Sequence, residues 1–206
     1  MIDVIIKNNL RKIKFSIRKM FLMKSKKKKI KVNDLTILST DCLGGIIYHD
    51  FGMKFNSPTI NMWFSPKDFI KFCCNLKYYL TLEPIELKTD YKYPVAVLDD
   101  IKLYFTHYKS FKEAVDKWNT RKKRINFNKI VLIMTDANDF SEDLMIEAEK
   151  IPYKKIMFTH KKIDSQLDFL YYLKSDKNGF FHSYRSIVSI RRFYDDFDFV
   201  SFFNAV

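Results

Sequence analysis

The sequence predicts an α/β domain whose sheet is largely parallel or mixed and covered by helices, preceded by a basic helix. Three observations predict it. From residue 35 onward, short apolar runs alternate with longer amphipathic segments, as strands interleaved with helices do. The 206 residues are 47% apolar and 17% aromatic, which suits one domain with a sizeable core and excludes bulk disorder. The formal net charge of +13 is concentrated at one end: residues 1–31 hold twelve Lys or Arg against Asp3 alone, leaving residues 32–206 close to balance. The expected organisation is therefore a basic amphipathic tail over 1–31 and a single α/β domain over 32–206.

In the tail, Ile6, Leu10, Ile13, Ile17 and Met20 recur at spacings of four and three, which places them on one side of a helix. Lys7, Arg11, Lys12, Lys14, Arg18 and Lys19 fill the remaining faces, and the lysine run Lys24–Lys29 follows. A basic amphipathic helix beside a lysine cluster reads as a peripheral anchor on an anionic membrane surface. A helix packed on the domain and an RNA-attracting tail are the other two readings. Nucleic acid is disfavoured, because a basic face is expected on the folded domain itself. No stretch of 18 uncharged apolar residues exists to span a bilayer, and the frequent cations do not suit a secretory signal.

In the globular part, Leu35–Ser39, Val95–Leu98, Ile101–Thr106, Ile130–Thr135 and Lys155–Thr159 read as strands. Pro66–Leu80, Phe111–Ile125, Ser141–Lys150 and Ile163–Leu173 read as helices. Asp99-Asp100, between two strand-like runs, predicts a tight hairpin and some antiparallel pairing. Ser65-Pro66-Lys67-Asp68 and Ser110-Phe111-Lys112-Glu113 mark helix starts, which assigns Asp68 and Glu113 to backbone amides rather than to chemistry. In 111–125 the buried stripe is expected to be Phe111, Val115, Trp118 and Ile125, with Lys117, Arg121 and Arg124 on a neighbouring face. The aromatic stretch Phe193–Phe203, interleaved with Asp195, Asp196 and Asp198, reads as a helix docked on the core or an oligomer contact.

The polar residues gather after strands. Thr40-Asp41-Cys42 with Gly44-Gly45, then His107-Tyr108, then Asp136 through Asp139, then His160-Lys161 each follow an apolar run. Ligands of open α/β sheets bind beyond the carboxyl ends of the strands, so parallel strands would bring these clusters together. Gly44-Gly45 before a helix near Ile46 would present backbone amides to an anion, or would simply allow a tight turn. Cys42 reads as a thiol at a helix start, more in keeping with structure than with nucleophilic attack. Asp136 and Asp139 could hold a divalent metal or cap the following helix. His107 and His160 are candidate general acids or bases. Arg121 and Arg124 could grip a diphosphate bidentately or form a solvated basic face. With Cys42, Cys73 and Cys74 there is neither a disulfide framework nor a CxxC pair.

Several motifs together resemble a bacterial family. They are Ser39-Thr40-Asp41-Cys42-Leu43-Gly44-Gly45, Asn56-Ser57-Pro58 and Phe64-Ser65-Pro66-Lys67-Asp68-Phe69. Further on come Tyr93-Pro94-Val95, Phe105-Thr106-His107-Tyr108, Glu113-Ala114 through Trp118 to Arg121, Arg124-Ile125-Asn126, and Phe158-Thr159-His160-Lys161. From about Leu35 to Lys161 the chain resembles the domain of unknown function numbered nineteen-nineteen, often labelled exopolysaccharide biosynthesis protein; the basic tail lies outside the resemblance. It implies a three-layer α/β/α fold with a mixed sheet and a setting among proteins that build capsules and other surface glycans. The family pattern has Asn-Asn-Cys-Trp-Gly-Gly where this chain has Thr40 through Gly45, so Leu43 replaces an aromatic and Asp41 adds a charge.

The function expected is surface-polysaccharide biosynthesis by a glycosyl- or other group transferase, cytoplasmic and peripheral to the inner face of the membrane. Its substrate would be a nucleotide sugar or a glycan. Asp41, His107 and His160 are the catalytic candidates. Cys42, Gly44, Gly45, Asn56, Ser57, Tyr108, Arg121, Arg124 and Lys161 are the ligand-binding candidates, and Asp136 and Asp139 the metal ligands. The competing expectation is a non-catalytic scaffold of the polysaccharide machinery, acting through the aromatic C-terminus.

Overall fold

The structure, a computed structural model, describes residues 2–137, 140–173 and 189–206. With no Gly or Pro before Gly44, the chain opens as a helical segment: α1 (Ile2–Arg18), a π-helical turn (Lys19–Met23) and α2 (Lys24–Lys29). β1 (Thr36–Ser39), α3 (Leu43–Phe51), α4 (Pro66–Cys74) and α5 (Leu76–Thr81) follow. Then come β2 (Ile85–Leu87), β3 (Val95–Leu98), β4 (Ile101–Tyr104) and α6 (Phe111–Lys122). β5 (Ile130–Thr135), α7 (Glu142–Ala148), β6 (Lys154–Thr159), β7 (Leu170–Tyr172), a 3-10 turn (Phe193–Asp196) and α8 (Phe199–Asn204) complete the described elements.

The strands form two sheets. The first has the order β1-β5-β6-β7 and is parallel throughout, with Thr36 opposite Ile130, Ile133 opposite Ile156, and Met157 opposite Leu170. The second is antiparallel, β2-β3-β4, and its hairpin turns at Asp99 and Asp100, where Asp99 takes the left-handed conformation (φ 57°). The expected α/β class and the mixture of parallel and antiparallel pairing both hold, with the two kinds of pairing in separate sheets.

β1 and β5 are buried along their whole length because helices cover both faces of the parallel sheet, which is why they read as unbroken apolar runs. On one face Leu38, Leu132, Met134 and Met157 join a core with α4 through α7 and the antiparallel sheet. On the other, Ile37, Val131, Ile133 and Phe158 pack with α3, with Met23, and with Phe199 and Phe203 of α8. The aromatic C-terminus is thus a docked core element.

Two elements depart from the expectation. The helix expected over 66–80 divides at Asn75 (φ −120°, ψ 35°), where α4 ends and α5 begins. The helix expected over 163–173 is irregular chain with a turn at 168–169 that leads into β7. Ile163, Leu167 and Leu170, at helical spacing, do pack against the core. The backbone there serves β6 instead: Met157 N donates to Phe169 O at 2.8 Å and Leu173 N to Thr159 O at 2.9 Å. The capping signals hold, since Ser65 Oγ accepts from Asp68 N at 3.1 Å and Ser110 Oγ from Glu113 N at 3.2 Å.

The N-terminal segment is bound into the domain. Arg18, expected among the cations on the faces beside the apolar stripe, is fully buried: its Nε meets Asp50 Oδ2 at 2.8 Å, and its two terminal nitrogens pair with Asp195. Arg192 Nε and Tyr194 OH reach the same Asp50 oxygen at 2.8 and 2.7 Å. Two cations and two anions close a buried network across α1, α3 and the 3-10 turn. Burial works to lower the proton affinity of Arg18, but Asp195 and Asp50 outweigh it and hold that affinity above the usual value.

Candidate functional site

Because β1, β5 and β6 are parallel neighbours, their carboxyl ends lie side by side, and so do the residues that follow them: Thr40-Asp41-Cys42, Asp136 and His160-Lys161. The fourth expected cluster belongs to the antiparallel sheet, and the segment 60–64 brings it in. Phe64 N donates to Thr40 O at 3.0 Å, Trp63 pairs with Tyr104 of β4, and His107 N donates to Asn61 O at 3.3 Å. Thr106, just past β4, hydrogen-bonds the Cys42 thiol.

Asp41 is the most constrained member. Its Oδ1 accepts from Leu43 N at 2.7 Å and from Ser39 Oγ at 3.4 Å, and its Oδ2 accepts from Thr135 Oγ1 at 3.0 Å. Burial pushes its carboxyl up from the usual value of 3.8 and prevails over these three bonds. Burial, and then the charge of Asp41, push the Cys42 thiol up to about 11, so it carries its proton at neutral pH. A thiol held in that state is not an activated nucleophile.

Beside them, Asp136 and His160 form a dyad across β5 and β6. Asp136 Oδ2 lies 2.7 Å from His160 Nδ1 and also accepts from His160 N at 2.8 Å. One oxygen thus hydrogen-bonds the backbone of His160 and stands in close contact with its ring. A carboxylate this close favours a proton on Nδ1, an arrangement that would leave the Nε2 lone pair as the basic site. The Asp136 side chain is 5% exposed and that of His160 24%, so the carboxylate is sheltered and the ring reaches solvent. Thr40 Oγ1 and Asp136 Oδ1 are buried at the same edge without a hydrogen-bond partner in the protein. Unpaired buried polar atoms are costly, and two at one strand edge suit a site completed by a polar ligand or water.

The remaining candidates fall elsewhere. Gly44 and Gly45 are in the first turn of α3, which begins at Leu43 rather than near Ile46. A Cβ on Gly44 would stand 2.9 Å from Ser39 Cβ, so this glycine lets α3 approach β1. Ser57 is buried as a brace: its Oγ is 3.0 Å from Thr59 Oγ1, which accepts from Ser39 N at 3.2 Å; Asn56 is buried beside it. Arg121 turns inward with Ala114 and Trp118. Its Nη1 donates to Tyr108 OH at 2.5 Å and to Ile60 O at 3.3 Å, so Arg121 and Tyr108 pin the 60–64 segment. Arg124 Nη1 donates to Phe55 O at 3.3 Å. The arginine pair is thus tied to backbone carbonyls, leaving exposed Lys161 as the cation next to His160. His107 is exposed.

Asp139 lies outside the described residues. Asp136 is committed to His160, and among the described residues no group of three or more His, Cys, Asp or Glu is placed to hold a metal. Sequence reasoning gave no site role to Ser39, Thr106 and Thr135, which secure Asp41 and Cys42. A polar residue closing an apolar strand run was the available signal. A groove of about 490 Å³ lined by Lys27, Asn33, Asp34 and Gly52 lies at the amino end of β1, away from this edge.

A family model described as "Domain of unknown function (DUF1919)" matches residues 12–204, most of the basic segment included. An uncharacterized protein of Haemophilus influenzae (strain ATCC 51907 / DSM 11121 / KW20 / Rd) is 32% identical over 209 residues, covering 96% of this chain and 98% of that protein.

Proposed function

We propose that this chain, which belongs to the family described as a domain of unknown function, DUF1919, is a group transferase of cell-surface polysaccharide assembly in which His160 deprotonates an acceptor hydroxyl. The observation that supports the reading is the Asp136–His160 dyad at the carboxyl edge of the parallel sheet, with the carboxylate 2.7 Å from Nδ1. In such a step Nε2 takes the acceptor proton as the oxygen forms its bond to the transferred group, and the donor's leaving group departs with the bonding pair. Asp136 holds the ring in the basic tautomer and stabilises the imidazolium. Lys161 supplies a cation for the phosphate of a nucleotide-sugar donor. Asp41, held by Leu43 N, Ser39 Oγ and Thr135 Oγ1, shapes the turn beside the donor. The competing scaffold reading keeps only part of its surface, because Phe199 and Phe203 are buried while Phe193, Phe197 and Phe202 are half-buried.

The test uses the full chain. Melting is followed with nucleotide sugars, free nucleotides and coenzyme A, with and without manganese, and turnover is then measured with whichever donor shifts the melt. A donor at a hundred times its dissociation constant adds about 2.7 kcal/mol. His160→Gln is expected to retain the donor shift and lose about 10²- to 10⁴-fold in turnover, and Asp136→Asn to lose part of that. A His160→Gln protein with unchanged turnover would reject the role of His160. A folded chain that responds to no donor would favour the scaffold.

A further inference from the structure

We infer that the N-terminal helix seats on an anionic lipid bilayer through the face that carries Leu10, Ile13, Ile17, Met20 and Phe21. These five side chains cover about 100° of the helix circumference, and they are 41, 56, 37, 57 and 67% exposed. The helix is not free to roll them onto the domain, because its other side is already committed. The Phe15 ring stacks on His49 at 4.2 Å between centroids, Arg18 is locked between Asp50 and Asp195, and Met23 is buried in the core. The domain therefore holds a ready-made apolar stripe outward.

The charge around the stripe selects the occupant. Exposed Lys24, Lys27, Lys28 and Lys29 extend it, exposed Lys12 and Lys19 lie on its flank, and no acidic residue occurs between Val4 and Asn33. A second copy of the chain would bury the stripe but bring two such cationic segments together. A nucleic acid would satisfy the lysines and leave the stripe in water. An interface of anionic headgroups over acyl chains meets both requirements. No helix among the described residues is long and apolar enough to cross the bilayer, so the contact lies in the plane of the interface. This inference is independent of the transfer reaction at the strand edge.

Flotation of the full chain with vesicles tests it, using phosphatidylcholine alone and phosphatidylcholine mixed with phosphatidylglycerol, at low and high salt. The expected result is binding to the mixed vesicles that weakens with salt. The double variant Ile13→Glu/Ile17→Glu, at exposed positions, should melt as the parent does and bind at least about tenfold more weakly. Lys24→Gln/Lys28→Gln/Lys29→Gln should bind more weakly and with a shallower salt dependence. Equal binding to both vesicle types, or parental binding by the glutamate variant, would overturn the inference. So would a concentration-dependent dimer that the glutamate variant abolishes, since that result assigns the face to a second copy.

Discussion

Gly44 and Gly45 show what single residues disclose only once their neighbours are known. The pair suggests a turn or an anion cradle, yet neither residue adopts a positive φ; Gly52, which closes α3 at φ 59°, is the left-handed glycine. The two then differ in kind. A methyl group on Gly44 meets Ser39 Cβ at 2.9 Å, against the strand that positions Asp41, whereas one on Gly45 meets Ile60 Cγ2 at an ordinary 3.4 Å. Gly44→Ala is expected to cost about 1–3 kcal/mol through overpacking. Gly45→Ala is expected to be neutral or to gain up to about 1 kcal/mol from helix propensity. Thermal melts of the two variants check this, and equal losses would contradict it. His160 was legible as a candidate because an imidazole after an apolar run is conspicuous. Its partner Asp136 was legible as a metal ligand or a helix cap and not as a partner of His160, because pairing across β5 and β6 depends on strand direction and register, which no local spacing encodes.

Elements were legible where burial and backbone role coincide. The fully buried strands and the serine-capped helices α4 and α6 came through, because an apolar run or a capping box is a local signal. The stretch 163–173 did not, since its apolar residues face the core whether the chain is helical or extended, and the demand of β6 for a neighbour decides. α1 was legible as a helix, while the inward turn of Arg18 was not, because Asp50 and Asp195 lie 32 and 177 residues away. That turn makes α1 a structural element. Arg18→Met fills similar space but leaves two carboxylates short of their shared cation. Removing one partner from a buried ion pair costs about 3–5 kcal/mol. A denaturant midpoint lowered to that extent, with the slope unchanged, is the expected outcome; a loss below about 1 kcal/mol, the usual worth of an exposed pair, would place Arg18 in solvent.

For the whole molecule, the same network ties the first helix to the last elements, so stability at the two ends is coupled, and pH reads that coupling. Burial works to raise the Asp195 carboxyl, but the Arg18 guanidinium and the Arg192 backbone amide outweigh it, and Asp195 sits below its usual value of 3.8. The folded state therefore binds fewer protons than the unfolded state across that window. The Asp195 contribution is complete above the unfolded value and is lost as pH falls through the folded one. Asp41 has the opposite sign: its raised carboxyl favours the folded state at low pH and ceases to do so as pH rises. Acid unfolding should thus begin where the terminal network is released rather than at the strand edge. Asp195→Asn is expected to be less stable than the parent at neutral pH and to lose less on acidification, so that their melting temperatures converge as pH falls below about 4. Parallel curves from pH 7 to pH 2, read by melts at each pH, would show that Asp195 does not titrate with folding and that this carboxylate does not couple the two ends.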